Sequence, residues 1–257
     1  MGFYEQVKTK AETGGQWAVI ALGFSIPVST AADDILIGVI VFLWLLGDAY
    51  RERISRIQDN PVALWAAVVF GMYLLGVTYS IAERKDILSA LVKSAYFLLI
   101  PLFMAFFREK KVRDFAIGGF LAASVLVLSL SYLIGFGILP PPNLLSIPAS
   151  PGNPFVFKFH ITHSFLMAFA AFLFALRARE TTERRHRLLW GVPCLLAVYN
   201  IFFMIPSRTG QFAMLVLIVY FFFGFFRWRG LLLSAVILVS IAGAGLMFSS
   251  ASWYRGY

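Results

Sequence analysis

Apolar positions along this chain fall in long runs. They show neither the alternation of a half-buried strand nor the one-sided stripe of a soluble helix. The runs are Trp17–Ala32, Ile35–Gly47, Pro61–Tyr79, Ile87–Phe107, Phe115–Leu139, Phe159–Ala178, Leu188–Ile205, Phe212–Phe226 and Leu231–Phe248. A straight membrane crossing takes ~20 apolar residues. Most of the runs approach that length, and Ile35–Gly47 reaches it by borrowing from its flanking turn. The pattern predicts an all-α, polytopic integral membrane protein of about nine transmembrane helices, with residues 1–257 as a single membrane domain.

Punctuation refines this layout. Ser25, Pro27 and Ser29 interrupt the first run. A basic start followed by apolar residues and Ser29-Thr30-Ala31-Ala32 also matches a cleaved signal peptide. The many spans that follow favour a first spanning helix kinked near Pro27. Asp33 and Asp34 read as a short turn. Pro61 suits the first position of a helix, where its missing N–H costs nothing. The segment Pro140–Lys158 carries six prolines and cannot be helical throughout. Its length marks it as a candidate functional loop.

Composition agrees with the hydropathy pattern. Hydrophobic residues make up 60% and charged residues 14% of the chain, yet the net charge is +9. In a soluble protein that balance would point to nucleic acid. In a membrane protein it follows from basic residues collecting in cytoplasmic loops, and no nucleic-acid partner is expected. With the N-terminus in the cytoplasm and the spans alternating, 16 of the 22 basic residues fall on the cytoplasmic side. Cys194 is the sole cysteine, so no internal disulfide forms and no cysteine-based metal spacing exists.

Arg84, Lys85, Lys93, Lys158, Arg208 and Arg255 remain on the outer side, against the charge rule. Converging cations beside a membrane suit a phosphate or pyrophosphate headgroup, since Arg offers a planar fork and Lys a point charge. The plainer alternative is that each reaches out to lipid phosphates. Arg208 stands out because Ser207, Thr209 and Gly210 frame it at a helix start, where free N–H groups favour anions. The candidate anion-binding set is Arg208, Ser207, Thr209, Lys93, Lys158 and Arg84.

His160 and His163 share a face at the start of the sixth run. They are candidates for hydrogen bonding or general-base work. No nearby carboxylate or cysteine completes a metal site, and neither metal nor cofactor is expected. Asp33, Asp34, Glu83 and Asp86 are outer acids that read as helix caps or counter-charges to Arg84 and Lys85.

From Asn200 to Gly210, ending in Ser207-Arg208-Thr209-Gly210, the sequence resembles the O-antigen ligase family of polytopic bacterial enzymes. The paired first spans broken by Pro27, the stretch Lys93 to Pro101 and the histidine-bearing sixth span add to the resemblance. It implies a GT-C-like glycosyltransferase in the bacterial inner membrane. Such an enzyme moves a glycan from an undecaprenyl-pyrophosphate carrier to a lipid A-core acceptor on the periplasmic face, within membrane lipid. Arg208 matches the family's loop arginine, which would hold the pyrophosphate. A related polymerase shares the carrier and differs in acceptor. A lipid-linked oligosaccharide transporter is the rival from another class, and a structural subunit awaiting a partner is a third.

The family normally continues into a large periplasmic loop with a His-x9-Gly motif and then further helices. Here His160, His163 and His186 are followed ten positions later by Ala170, Leu173 and Leu196. The chain is expected to correspond to the N-terminal part of a family member, or to a reduced relative. The catalytic base is then expected to lie outside it.

Overall fold

The computed structural model describes residues 3–47, 55, 58–107, 109–140, 149–227 and 232. These residues are all-helical apart from turns and loops, with no β-strand among them. The helices are α1 (Phe3–Ser25), α2 (Thr30–Leu46), α3 (Pro61–Tyr79), α4 (Arg84–Ser94), α5 (Leu99–Phe106), α6 (Lys110–Gly135), α7 (His160–Glu180), α8 (Arg184–Tyr199) and α9 (Arg208–Phe226). A 3-10 turn, Ala95–Leu98, joins α4 to α5, and a π-turn, Asn200–Met204, extends α8.

Six helical stretches are long and apolar enough to cross a membrane: Pro61–Tyr79, Arg84–Met104, Lys110–Gly135, His160–Glu180, Arg184–Met204 and Arg208–Phe225. This is the hallmark of a membrane protein. The expected first and second spans differ from the sequence reading. Helix α1 starts at Phe3 and runs through Lys8, Lys10 and Glu12, so much of its length is polar. It stops at Ser25, and residues 26–28 form a turn. Pro27 therefore separates two helices; it does not kink one. Asp33 and Asp34 are no turn either. They lie in the first turns of α2, where acids complement the helix dipole. The ninth run, Leu231–Phe248, lies outside the described residues except for Leu232.

The chain divides into two compact units. The first comprises Met1–Gly23 and Ala31–Gly119. In it α3 packs along α4, the 3-10 turn and α5. Asn60 caps α3, its side chain accepting from the Val62 and Ala63 N–H groups at 3.0 and 3.2 Å, and Pro61 stands at N1 as anticipated. The break at Ala95–Leu98 has a local cause. Pro101 lacks an N–H, and its ring crowds the carbonyl four residues back, at Phe97. Helix α1 approaches α6 at Gly23, where any Cβ would run into the Ala116 carbonyl oxygen. Small residues permit such backbone contact between membrane helices.

The second unit comprises Phe24–Thr30 and Phe120–Tyr257. Its core is α7, which packs on both α8 and α9. Met167, Ala168, Ala171 and Phe174 on α7 are buried, as are Ala197 on α8, Ile201 in the π-turn and Met214 on α9. Near its C-terminus α7 carries Arg177 and Arg179, which favour the negative end of the helix dipole. The Arg179 guanidinium also lies over the Phe225 ring of α9 at 3.3 Å.

Candidate functional site

Between α8 and α9 a helix start was expected at Ser207–Gly210, and the structure has one there. The π-turn widens α8 over its last five residues and ends at Ile205, whose extended backbone suits the residue before Pro206. Ser207 is the N-cap of α9, its Oγ accepting from the Gly210 N–H at 3.4 Å. Arg208, Thr209 and Gly210 form the first helical turn.

Two buried polar chains hold this segment. The shorter joins α9 to α7 through Ser207 Oγ and Ser164 Oγ, 2.7 Å apart. Beside it, a Cβ on Gly210 would overlap the Ser164 side chain and stand 2.9 Å from its carbonyl carbon. The two helices therefore meet at backbone distance, and only glycine fits.

The longer chain starts at His163, 1% exposed. Its Nε2 lies 3.3 Å from Asn200 Oδ1. A hydrogen bond there requires the proton on Nε2. The Asn200 amide nitrogen donates to Ser131 Oγ at 2.9 Å, and the Ser131 hydroxyl donates to the Pro154 carbonyl at 2.6 Å. Asn200 is fully buried. One amide thus ties together α6, α7, the π-turn and the loop before α7. Such buried amides are costly unless satisfied and specify geometry when they are.

The predicted site residues separate accordingly. Ser207, Arg208, Thr209, Lys158, His160 and His163 all belong to the second unit. Arg208 and Thr209 are exposed, whereas Ser207 is buried and its hydroxyl serves the cap and Ser164. Arg208 forms no ion pair among the described residues. Lys158 is only 8% exposed, and its Nζ donates to Thr30 Oγ1 at 2.9 Å. The His160 ring lies against Phe159, with centroids 4.1 Å apart. The buried Nδ1 atoms of His160 and His163 have no hydrogen-bond partner among the described residues.

Arg84 and Lys93 belong to the first unit, at the two ends of α4, and both are exposed. Among the described residues, no group of three or more His, Cys, Asp or Glu side chains is placed to hold a metal ion. Sequence reasoning overlooked Ser131, Pro154 and Ser164, and gave Asn200 no role. The one available signal was polar residues inside otherwise apolar runs.

Comparisons with models of protein families, with characterised proteins and with solved structures find no match to this chain.

Proposed function

We propose that the chain is a membrane glycosyltransferase, or the donor-binding part of one, that takes a glycan from an undecaprenyl-pyrophosphate carrier. Its setting is the bacterial inner membrane, with about nine spans in a GT-C-like arrangement, a cytoplasmic N-terminus and Arg208 on the periplasmic face. The reading rests on the resemblance of the Asn200–Gly210 segment to O-antigen ligases, and on one observation. Arg208 is exposed and free of any ion pair among the described residues, on a helix start that Ser207, Ser164 and Gly210 hold from beneath.

A guanidinium presented beside free helix N–H groups suits a pyrophosphate and the charge that grows on it as the glycosyl bond breaks. Thr209, exposed next to it, adds a hydroxyl. In this reading His163 positions the segment through Asn200 and takes no proton from the acceptor. The acceptor is a lipid A-core sugar in a ligase and a second carrier-linked glycan in a polymerase.

The test is glycan transfer by purified protein, in the natural length of its reading frame, from undecaprenyl-pyrophosphate donor to each acceptor in turn. Arg208→Ala is expected to lower donor affinity and transfer by ~100-fold or more, in the range for loss of one charge-stabilising donor. Arg208→Lys recovers a fraction, because a point charge cannot reproduce the fork. Donor binding and transfer equal to the parent in folded Arg208→Ala would falsify the reading.

A further inference from the structure

The first unit holds a polar cleft that the proposed pyrophosphate site leaves unused. It lies between α3 and α4, has a volume of about 390 Å³, and is lined by Tyr73, Asp86, Ser89, Lys93, Ser94 and Phe97. Asp86, Ser89, Lys93 and Phe97 recur at helical spacing and form one stripe. Lys93 stands well inside a stretch apolar enough to cross a membrane, and Asp86 stands near the start of that stretch. Neither Asp86 nor Lys93 has an ion-pair partner among the described residues. An uncompensated charge at such a place is expensive and usually marks function.

The two charges do not neutralise each other. Seven residues at ~1.5 Å rise separate their Cα atoms by ~10 Å along the helix. Asp86 is near the α4 N-terminus, and Lys93 lies two turns further in. A ligand of one sign would answer only one of them. A simple anion would answer Lys93 and make no contact with the Asp86 carboxylate at the other end of the stripe.

We propose that this cleft binds the headgroup of a zwitterionic phospholipid carrying a primary ammonium. The phosphate sits at Lys93 and the ammonium at Asp86. A phosphate joined through two carbons to an ammonium, with a charge-assisted hydrogen bond of ~2.8 Å at each end, is of a length to serve two side chains whose Cα atoms lie ~10 Å apart. The order along α4 is that of a lipid entering from the bilayer: acyl chains deepest, then phosphate, then ammonium toward the surface. Ser89, also in the lining, falls between Asp86 and Lys93 along the stripe. Tyr73 and Phe97 offer apolar surface where the glycerol and first methylenes pass. A primary ammonium donates hydrogen bonds to the Asp86 carboxylate, which a trimethylated one cannot do.

The inference is independent of the glycosyltransferase reading, and its test uses no glycan. The full chain is purified, stripped of co-purified lipid and incubated with equal amounts of phosphatidylethanolamine, phosphatidylcholine and phosphatidylglycerol. Retained lipid is counted by native mass spectrometry. Phosphatidylethanolamine is expected to be retained ~10-fold over the other two. Lys93→Gln lowers its retention ~10-fold. Asp86→Asn abolishes the preference over phosphatidylcholine, and Asp86→Lys turns the preference toward phosphatidylglycerol. Arg208→Ala leaves all of this unchanged. Circular dichroism and gel filtration establish that each variant is folded. Equal retention of the three lipids by the parent, or a phosphatidylethanolamine preference that survives in both Lys93→Gln and Asp86→Asn, overturns the proposal.

Discussion

The two units solve the problem of polar groups in an apolar surrounding in opposite ways. In the second unit several polar side chains point inward and bond to one another, while the buried Nδ1 atoms of His160 and His163 stay without a partner among the described residues. His163, Asn200 and Ser131 form a closed relay that ends on the Pro154 carbonyl, and Ser164 meets Ser207. In the first unit Asp86 and Lys93 of α4 line a cleft and remain without ion-pair partners among the described residues. The apolar stretch of α7 is 39% buried and those of α8 and α9 17%, against 11% in α3 and in the α4–α5 stretch. The contrast teaches that closed polar networks hold a shape, whereas open ones are available to a ligand.

The sharpest way to break this contrast is at the point where α9 touches α7. Gly210→Val places a branched side chain where even a Cβ overlaps Ser164. Overpacking typically costs ~1–3 kcal/mol, and a clash that includes backbone puts this substitution toward the upper end. Detergent-resistant folding of the chain should fall steeply, as read by a denaturant titration of the protein in bicelles. Adding Ser164→Gly should recover only part of the loss, because the Ser164 carbonyl carbon still stands 2.9 Å from the new Cβ. An unchanged midpoint in Gly210→Val would mean that the two helices do not meet this closely.

Next in size is Asn200→Leu, which keeps the volume and removes the amide. It strands the His163 Nε2–H and takes a donor from Ser131. Buried groups left unsatisfied cost ~1–3 kcal/mol. Hydrogen bonds between membrane helices average nearer 0.6, so ~2 kcal/mol is expected for the pair. A double-mutant cycle with Ser131→Ala should return a coupling of at least ~0.5 kcal/mol. Additive effects would show that the relay does not act as a unit.

Much of the fold was legible because its signals are local. Pro61 announced the start of α3, and the structure adds the Asn60 cap before it. Span boundaries were less legible. Helix α6 begins at Lys110, five residues before the apolar run, because lysine and arginine are good helix formers whose apolar stems lie comfortably at an interface. Hydropathy marks where the apolar medium begins and says little about where the helix does. The 3-10 turn at Ala95–Leu98 had a readable cause in Pro101, but the long apolar run masked it. At the candidate site, Arg208 was visible as an anomaly at a helix start, but Ser207 was read as an anion ligand and its hydroxyl serves the cap and Ser164. The relay through Asn200 was invisible, since its members sit on separate elements and meet only after packing. The π-turn that aims Asn200 inward has no signature in sequence.

A smaller effect is expected from Ser207→Ala. Losing an N-cap hydroxyl costs ~1 kcal/mol, and Ser164 loses its partner at 2.7 Å. Ser207→Gly should cost the helix end only a few tenths of a kcal/mol, because glycine readily takes the non-helical backbone of a cap. If Arg208 is presented by this cap, Ser207→Ala should weaken binding of a pyrophosphate probe while leaving lipid retention at the α4 cleft untouched. Loss of both together would mean that the two units respond as one.

The smallest effect belongs to the open unit. Leu75 on α3 is 66% exposed. In water, truncating such a side chain changes little. In a bilayer it changes less, because lipid tails are as apolar as leucine and fill the vacated space. Leu75→Ala should therefore stay within ~0.5 kcal/mol of the parent in bicelles. The same truncation at buried Met167 on α7 should cost ~2–5 kcal/mol, since no lipid reaches that space. If Leu75→Ala instead costs as much as Ser207→Ala, the outer face of α3 is covered by protein. The openness of the first unit would then describe a surface that another chain, or more of this one, completes.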